Sequence, residues 1–258
     1  MPVPLDPTKY KSKPFFNPSD FIGYMRGLGK IGDRPAPEAI VLSYQRSLFE
    51  HVLATRRATP AEGYFSNELY YLEDEGGSLA IAGRFGVGAP AAAVMLEELI
   101  AFGARRFVSV GTAGSLRSDL PPGSLVLCDA AFRDEGTSYH YLPGGGPVFP
   151  SEDLTRKLRG ELERRGLPFR KGPAWTTDAI YRETPSEVVL HSGKGALVVE
   201  MEAAALFAVA RFRSALIAAC FSVSDTLAEL AWRPEFHAET TTDGLEALFG
   251  AAVEALRT

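Results

Sequence analysis

From residue 39 onward, short apolar runs alternate with segments whose apolar positions recur every three or four residues. AIVLSY (39–44) reads as a strand and QRSLFEHVLATR (45–56) behind it as an amphipathic helix. SLAIAG (78–83) is the next strand and runs into the glycine-rich GRFGVGAP. From Pro90, AAAVMLEELIAFG has helical spacing and stops at Gly103. RRFVSVG (105–111) is a nearly continuous β-rich run, the pattern of a strand covered on both faces. SLVLCDAAF (124–132), GALVVEM (195–201) and ALIAACFSVSD (215–225) repeat that pattern. Between and after them lie the charged helix SEDLTRKLRGELERRG (151–166), the helix EAAALFAVARFR (202–213) and a terminal helix in TTTDGLEALFGAAVEAL (240–256), with threonines available as its cap. Strands alternating with helices predict one three-layer α/β/α domain over residues 39–258, with no repeat or linker to divide it. Residues 1–38, rich in Pro, Gly and Lys, read as an extension over the surface with one short helix in SDFIGYMRGLG, capped by Ser19.

Composition narrows the classes. With 258 residues, 46% hydrophobic and 23% charged, the chain has ordinary globular make-up and is long enough for a substantial core. A net charge of −5 argues against nucleic acid as a partner, since a phosphate backbone needs a concentrated basic face. A small anion needs only a few placed arginines. Cys128 and Cys220 each lie inside an apolar run and share no metal-ligand spacing, so both read as reduced core thiols. The N-terminus lacks the apolar stretch of a secretory leader, and no run reaches the ~18 apolar residues of a membrane span. The expectation is a cytoplasmic protein without membrane contact, metal or organic cofactor.

Four segments carry candidate chemistry, and each has a plain alternative. Gly83, Gly86 and Gly88 in GRFGVGAP suit close approach of backbone to an anion at a helix start, or simply a tight turn; the spacing is not that of a dinucleotide site. VGTAGSL (110–116) ends a buried strand, where ligands collect in open α/β sheets. There Thr112 offers a hydroxyl, and Gly111, Ala113 and Gly114 leave room for an anion. In VVEMEAAAL (198–206), Glu200 and Glu202 are either a helix-start charge pair or hydroxyl-binding carboxylates with Met201 as an apolar contact. Asp225 in CFSVSDTL ends an apolar strand, either as a turn former or, in a dry pocket, as a proton donor.

Taken together and in this order, GVGAP, VSVGTAGSL, VVEMEAAAL and SVSD resemble the nucleoside phosphorylase superfamily of purine nucleoside and uridine phosphorylases, from about residue 39 to the C-terminus. The resemblance implies a phosphorylase-like domain with a mixed central sheet and an enzyme that cleaves a nucleoside to free base and (deoxy)ribose 1-phosphate, with phosphate as co-substrate. It implies Glu202 on the ribose 2′- and 3′-hydroxyls, with Glu200 beside it and Met201 against the sugar. Asp225 is implied as the acid assisting departure of a purine, and Gly88, Gly111 and Thr112 around phosphate. WTTDAIYRET (175–184) stands where the family's base-binding loop does, placing Ile180 and Tyr181 as stacking residues. Arg182 and Glu183 there serve the base edge or a surface ion pair. Arg133, Gly136, Ser138 and His140 keep a uridine-phosphorylase spacing, while Asp225 leans toward purines, so the base stays open. A homo-oligomer built from dimers, possibly a hexamer whose neighbouring subunits complete the pocket, is likewise implied.

Two departures from the family pattern bear on the anion. SYQRSL (43–48) replaces a Gly-Asp-Pro segment with its nearby arginine, and Ser109 stands where an arginine precedes the phosphate loop. Losing a guanidinium fork is a large change for an anion site. Arg46 and Arg84 are the candidates to compensate; otherwise the anion site is weak and hydrolysis by water, as in the nucleosidases, is the alternative. No glutamate follows AIVLSY where that branch carries its water-activating base, so phosphorolysis stays ahead. A non-catalytic nucleoside-binding role is the remaining alternative.

Overall fold

The computed structural model describes Pro4 and residues 6–257. Residues 1–3, Leu5 and Thr258, assigned by the sequence to the extension and to the end of the domain, lie outside the described residues. Ten strands form one mixed sheet: β1 (Ala39–Ser43), β2 (Ala58–Pro60), β3 (Leu69–Leu72), β4 (Leu79–Ala82), β5 (Arg106–Ser115), β6 (Leu125–Asp134), β7 (Phe169–Thr177), β8 (Val198–Glu200), β9 (Leu216–Thr226) and β10 (Arg233–Pro234). Among the described residues seven α-helices accompany them: α1 (Pro18–Gly27), α2 (Arg46–Thr55), α3 (Ala89–Phe102), α4 (Glu152–Arg164), α5 (Pro185–Gly193), α6 (Ala203–Arg213) and α7 (Glu239–Arg257).

Helices cover both faces. One core layer joins Ile22 and Met25 of α1, Leu96 and Leu99 of α3 and Leu206 and Phe207 of α6 to the sheet; the other joins Leu48 of α2, Leu158 of α4 and Leu248 of α7. Strands buried on two faces must be apolar throughout, which is why β1 and β4 read as unbroken runs. Among the described residues no helix is long and apolar enough to cross a membrane. Cys128 and Cys220 are free and buried, as their surroundings in the sequence predict.

The topology contains a closed ring. β5 pairs with β9, β9 with β6, β6 with β7, β7 with β8, and β8 returns to β5. β5 is long enough to serve two partners in turn on one side. β1 accompanies it as far as Ser43 opposite Val110, and β8 takes over at Val199 opposite Gly114. Gly111, Thr112 and Ala113 therefore have no strand on that side, and the ring opens there.

Two readings of the N-terminal region change. Asn17, not Ser19, caps α1: Pro18 occupies the first turn, and the Asn17 N–H donates to Asp20 Oδ2 at 2.7 Å. Residues 18–27 also do not lie over the surface, because Ile22 and Met25 enter the main core.

Candidate active site

The opening at Gly111–Ala113 is where β1, β5, β8 and β9 converge, each bringing its own functional groups. Tyr44 and Gln45 follow β1 directly into the gap. A side chain on Gly111 would come within 3.3 Å of the Tyr44 ring, which would have to shift by a few tenths of an ångström to admit it. The Tyr44 hydroxyl lies 3.1 Å from Ser109 Oγ, and Gln45 Nε2 donates to Thr112 Oγ1 at 2.8 Å. Gln45 Oε1 is buried without a hydrogen-bond partner among the described residues.

β8 delivers the carboxylates. Glu200 is held from three sides: Thr176 Oγ1 donates to Oε1 at 2.5 Å, and the backbone N–H groups of Glu202 and Ala203 donate to Oε2 at 2.8 and 2.7 Å. Thr176 in turn accepts the Ala204 N–H at 3.0 Å. The Glu200 side chain thus satisfies the first N–H groups of α6, whose N-cap position is Glu202; this is the structural alternative that the Glu200 sequence position allowed. That cap fixes the turn through Met201 and presents Glu202, whose Oε1 accepts the Gly88 N–H at 2.5 Å. Gly88 adopts φ +92°, and a side chain there would approach Met201 at 3.7 Å. The glycine-rich loop therefore packs on the EME segment. Burial pushes both carboxyls upward from the ordinary range, and the Glu200 charge pushes Glu202 further.

β9 delivers Asp225. The β5–β9 register slips between Ala113 and Gly114, so that Ala113 faces Val223 while Gly114 faces Asp225. This bulge around Ser224 sets the Asp225 carboxylate against Gly114. A Cβ on Gly114 would lie 3.1 Å from Asp225 Oδ2 and 3.2 Å from Val199, which places Gly114 between the β8 and β9 contributions. Ser224 Oγ donates to Asp225 Oδ1 at 2.8 Å and Trp232 Nε1 to Oδ2 at 3.0 Å. Burial nevertheless raises the Asp225 pKa. Nearby Glu183 is pushed up to about 7, first by burial and then by the Asp225 charge.

Not every predicted residue joins this group. Ile180, Tyr181 and Arg182 form a single 3-10 turn with exposed side chains, Tyr181 at 94%. Trp175 and Thr176, read as part of the same loop, end β7 instead and are buried. The two arginines expected to compensate at the anion site do not reach it. Arg46 stands in solvent on α2, paired with Glu50 one turn on at 2.7 Å. Arg84 is exposed, with its guanidinium over the Phe49 ring at 4.9 Å. In the uridine-like segment, Arg133 donates to Ser138 Oγ and to the carbonyls of Leu142 and Pro143, and His140 Nδ1 meets Lys9 Nζ at 2.8 Å. Tyr44, Gln45, Thr176 and Trp232 were not singled out from the sequence. Only SYQRSL signalled the first two, as a break in a pattern.

A family model described as "Phosphorylase superfamily" matches residues 49–257. The chain is 34% identical over 142 residues to "Guanosine phosphorylase" of Halorubrum lacusprofundi, covering 55% of this chain and 59% of that protein. It is 32% identical over 139 residues to "Uridine phosphorylase" of Treponema pallidum, covering 50% and 54%. These matches thus span little more than half the length of either relative. Among solved structures, uridine phosphorylase from Vibrio fischeri ES114 superposes with a TM-score of 0.72 at 24% identity, over 87% of this chain and 92% of that one. AMP nucleosidase from Bacteroides thetaiotaomicron superposes with a TM-score of 0.74 at 20% identity, over 93% and 96%. At such identities the superpositions establish the fold.

Proposed function

The chain belongs to the phosphorylase superfamily, and from that premise we propose that it is an enzyme of nucleosides, acting on the bond between a base and C1′ of the ribose. One observation carries the reading. Gly114 lies between Val199, which leads into Glu200–Glu202, and Asp225, so the segment carrying the two glutamates and a buried aspartate meet across one position of β5.

The chemistry follows from that arrangement. Cleaving the N-glycosidic bond builds positive charge on the sugar and negative charge on the departing base. A carboxylate at the sugar hydroxyls suits the first, and a proton donor at the base suits the second. Glu202 keeps one oxygen on Gly88 and leaves the other for hydroxyls, with Met201 against the sugar face. Asp225, with its pKa raised by burial, supplies the proton. A purine fits this acid better than a pyrimidine, because its imidazole ring offers a nitrogen to protonate. The residues that lean toward uridine, Arg133, Ser138 and His140, already hold partners within their own loop or on Lys9. Ile180 and Tyr181 stand exposed and free to fold over a bound base.

Incubating the protein with purine and pyrimidine nucleosides in phosphate buffer, and separating free bases by chromatography, tests the reading. Purine release that disappears in Glu202→Ala and falls strongly in Asp225→Asn is expected. No base from any nucleoside overturns it.

A further inference from the structure

We infer that Trp232 is a base-binding residue whose indole forms the wall on which a purine stacks; the inference rests on the reading of Asp225 as the acid at the base.

The chain brings Trp232 to the site by folding back along β9. After Thr226 it turns outward, with the Leu230 N–H donating to the Leu227 carbonyl at 2.9 Å and Leu230 itself at φ +57°. It returns as β10, where Arg233 pairs with Thr226 and Pro234 with Asp225, and the Glu235 N–H donates to the Ser224 carbonyl at 2.8 Å. Arg233 also forms an ion pair with Glu229, which joins the two arms of the turn. Trp232 immediately precedes this pairing, and its Nε1 donates to Asp225 Oδ2 at 3.0 Å.

The other tryptophan shows what Trp232 lacks. Trp175 donates its N–H to Asp134 Oδ2 at 2.9 Å, and its ring lies on His191 with centroids 4.4 Å apart and planes 6° from parallel. Trp175 is buried. Trp232 repeats the bond from indole N–H to aspartate, but among the described residues no ring is stacked on its face; Phe236 stands tilted at 6.4 Å. Leu230, Trp232 and Phe236 are all exposed, so the hairpin presents an apolar rim beside a buried carboxyl. An indole with its N–H satisfied and its faces in water leaves a large apolar area unused.

A bound base supplies the missing ring. A base nitrogen that takes the Asp225 proton lies about 3 Å from that carboxyl, and the indole nitrogen bonds the same carboxyl. Two partners of one carboxyl are neighbours, so a base within reach of Asp225 has the indole alongside it. Any base offers a π face to an aromatic wall. The two fused rings of a purine cover more of an indole than a single pyrimidine ring does. The wall therefore favours the larger base, on a ground separate from the nitrogen that Asp225 protonates.

The test is tryptophan fluorescence, because the chain has two tryptophans and only Trp232 is exposed. Hypoxanthine added to the wild-type protein is expected to quench the solvent-exposed emission saturably. Trp232→Phe, which retains Trp175 alone, is expected to show no such change. Kinetics with inosine separate the ring from its N–H. Trp232→Ala raises KM about tenfold, within the range for losing one base-stacking partner. Trp232→Phe keeps a ring, and its KM stays within about twofold of wild type. Emission unmoved by hypoxanthine at concentrations that inhibit inosine cleavage, or an unchanged KM in Trp232→Ala, overturns the inference while leaving the nucleoside-cleaving reading intact. No base released from any purine nucleoside by the wild-type protein overturns both.

Discussion

Replacing Trp232 by phenylalanine removes one of the two side-chain donors that hold Asp225 while keeping an aromatic ring in place. The indole N–H lies 3.0 Å from Asp225 Oδ2, and Ser224 holds the other oxygen at 2.8 Å. A hydrogen bond to a charged group contributes about 1.5–3 kcal/mol when shielded. Trp232 is 61% exposed, so water replaces part of that contribution and about 1 kcal/mol is lost. Because 1.36 kcal/mol corresponds to one pKa unit, the Asp225 pKa rises by about 0.7 in the variant. Asp225 acts in its protonated form, so activity falls where it ionises, and a higher pKa moves that fall to higher pH. The assay is kcat/KM for a purine nucleoside across pH, which reports the free enzyme, the state in which the Trp232 bond exists. The basic limb is expected to move up by about 0.7 unit. Superimposed profiles, or a limb moved down, would refute the assignment of Asp225 as the acid held by Trp232.

Thr176→Val deletes both contacts of a fully buried hydroxyl, leaving the Ala204 N–H without an acceptor and Glu200 short of a donor. The expected destabilisation is about 2–4 kcal/mol in urea unfolding, and a loss under about 0.5 kcal/mol would refute the role of Thr176 in tying Glu200 to α6. Gly88→Ala places a side chain at φ +92°, a region only glycine occupies comfortably, at a cost of about 1–3 kcal/mol. Because the Gly88 N–H holds Glu202, KM for nucleosides rises as well; an unchanged KM in Gly88→Ala would show that this contact does not shape the sugar site. Glu183 is raised from 4.5 to about 7, so its protonated form stabilises the fold fully below pH 4.5, and that contribution is lost as pH rises through 7. Glu183→Gln stays neutral, and its melting temperature should gain on wild type across that window; parallel curves would show that Glu183 ionises freely.

The architecture was legible because strands buried on both faces have no choice but to be apolar. β1, β4, β5 and β9 announce themselves for that reason. β7 escaped because its first half, Phe169–Lys171, is largely solvent-facing, and its second half carries Trp175 and two threonines that resemble a loop. β2 is a short edge strand and β3 the short strand between it and β4, and their pairing arises from tertiary contact. At the site, Glu202 and Asp225 were readable from the company they keep in the chain. Their convergence was not, since it depends on a bulge at Ser224 and on β5 exchanging β1 for β8 at Gly114. The role of Glu200 is decided by Thr176, 24 residues away in sequence, which no local pattern reveals. Arg46 and Arg84 were near the opening in sequence alone. A helix surface turns Arg46 to Glu50, and a positive φ of 61° sends Arg84 over Phe49.

The central claim is that Glu202 and Asp225 grip the two halves of one nucleoside. A crystal structure with a non-hydrolysable purine nucleoside analogue tests it most directly. The account predicts the ribose 2′- and 3′-hydroxyls within hydrogen-bonding distance of Glu202 and a purine ring nitrogen within reach of Asp225. An analogue seated elsewhere, such as in the groove lined by Tyr64, Phe85 and Met95, or bound with its base turned away from Asp225, would contradict it.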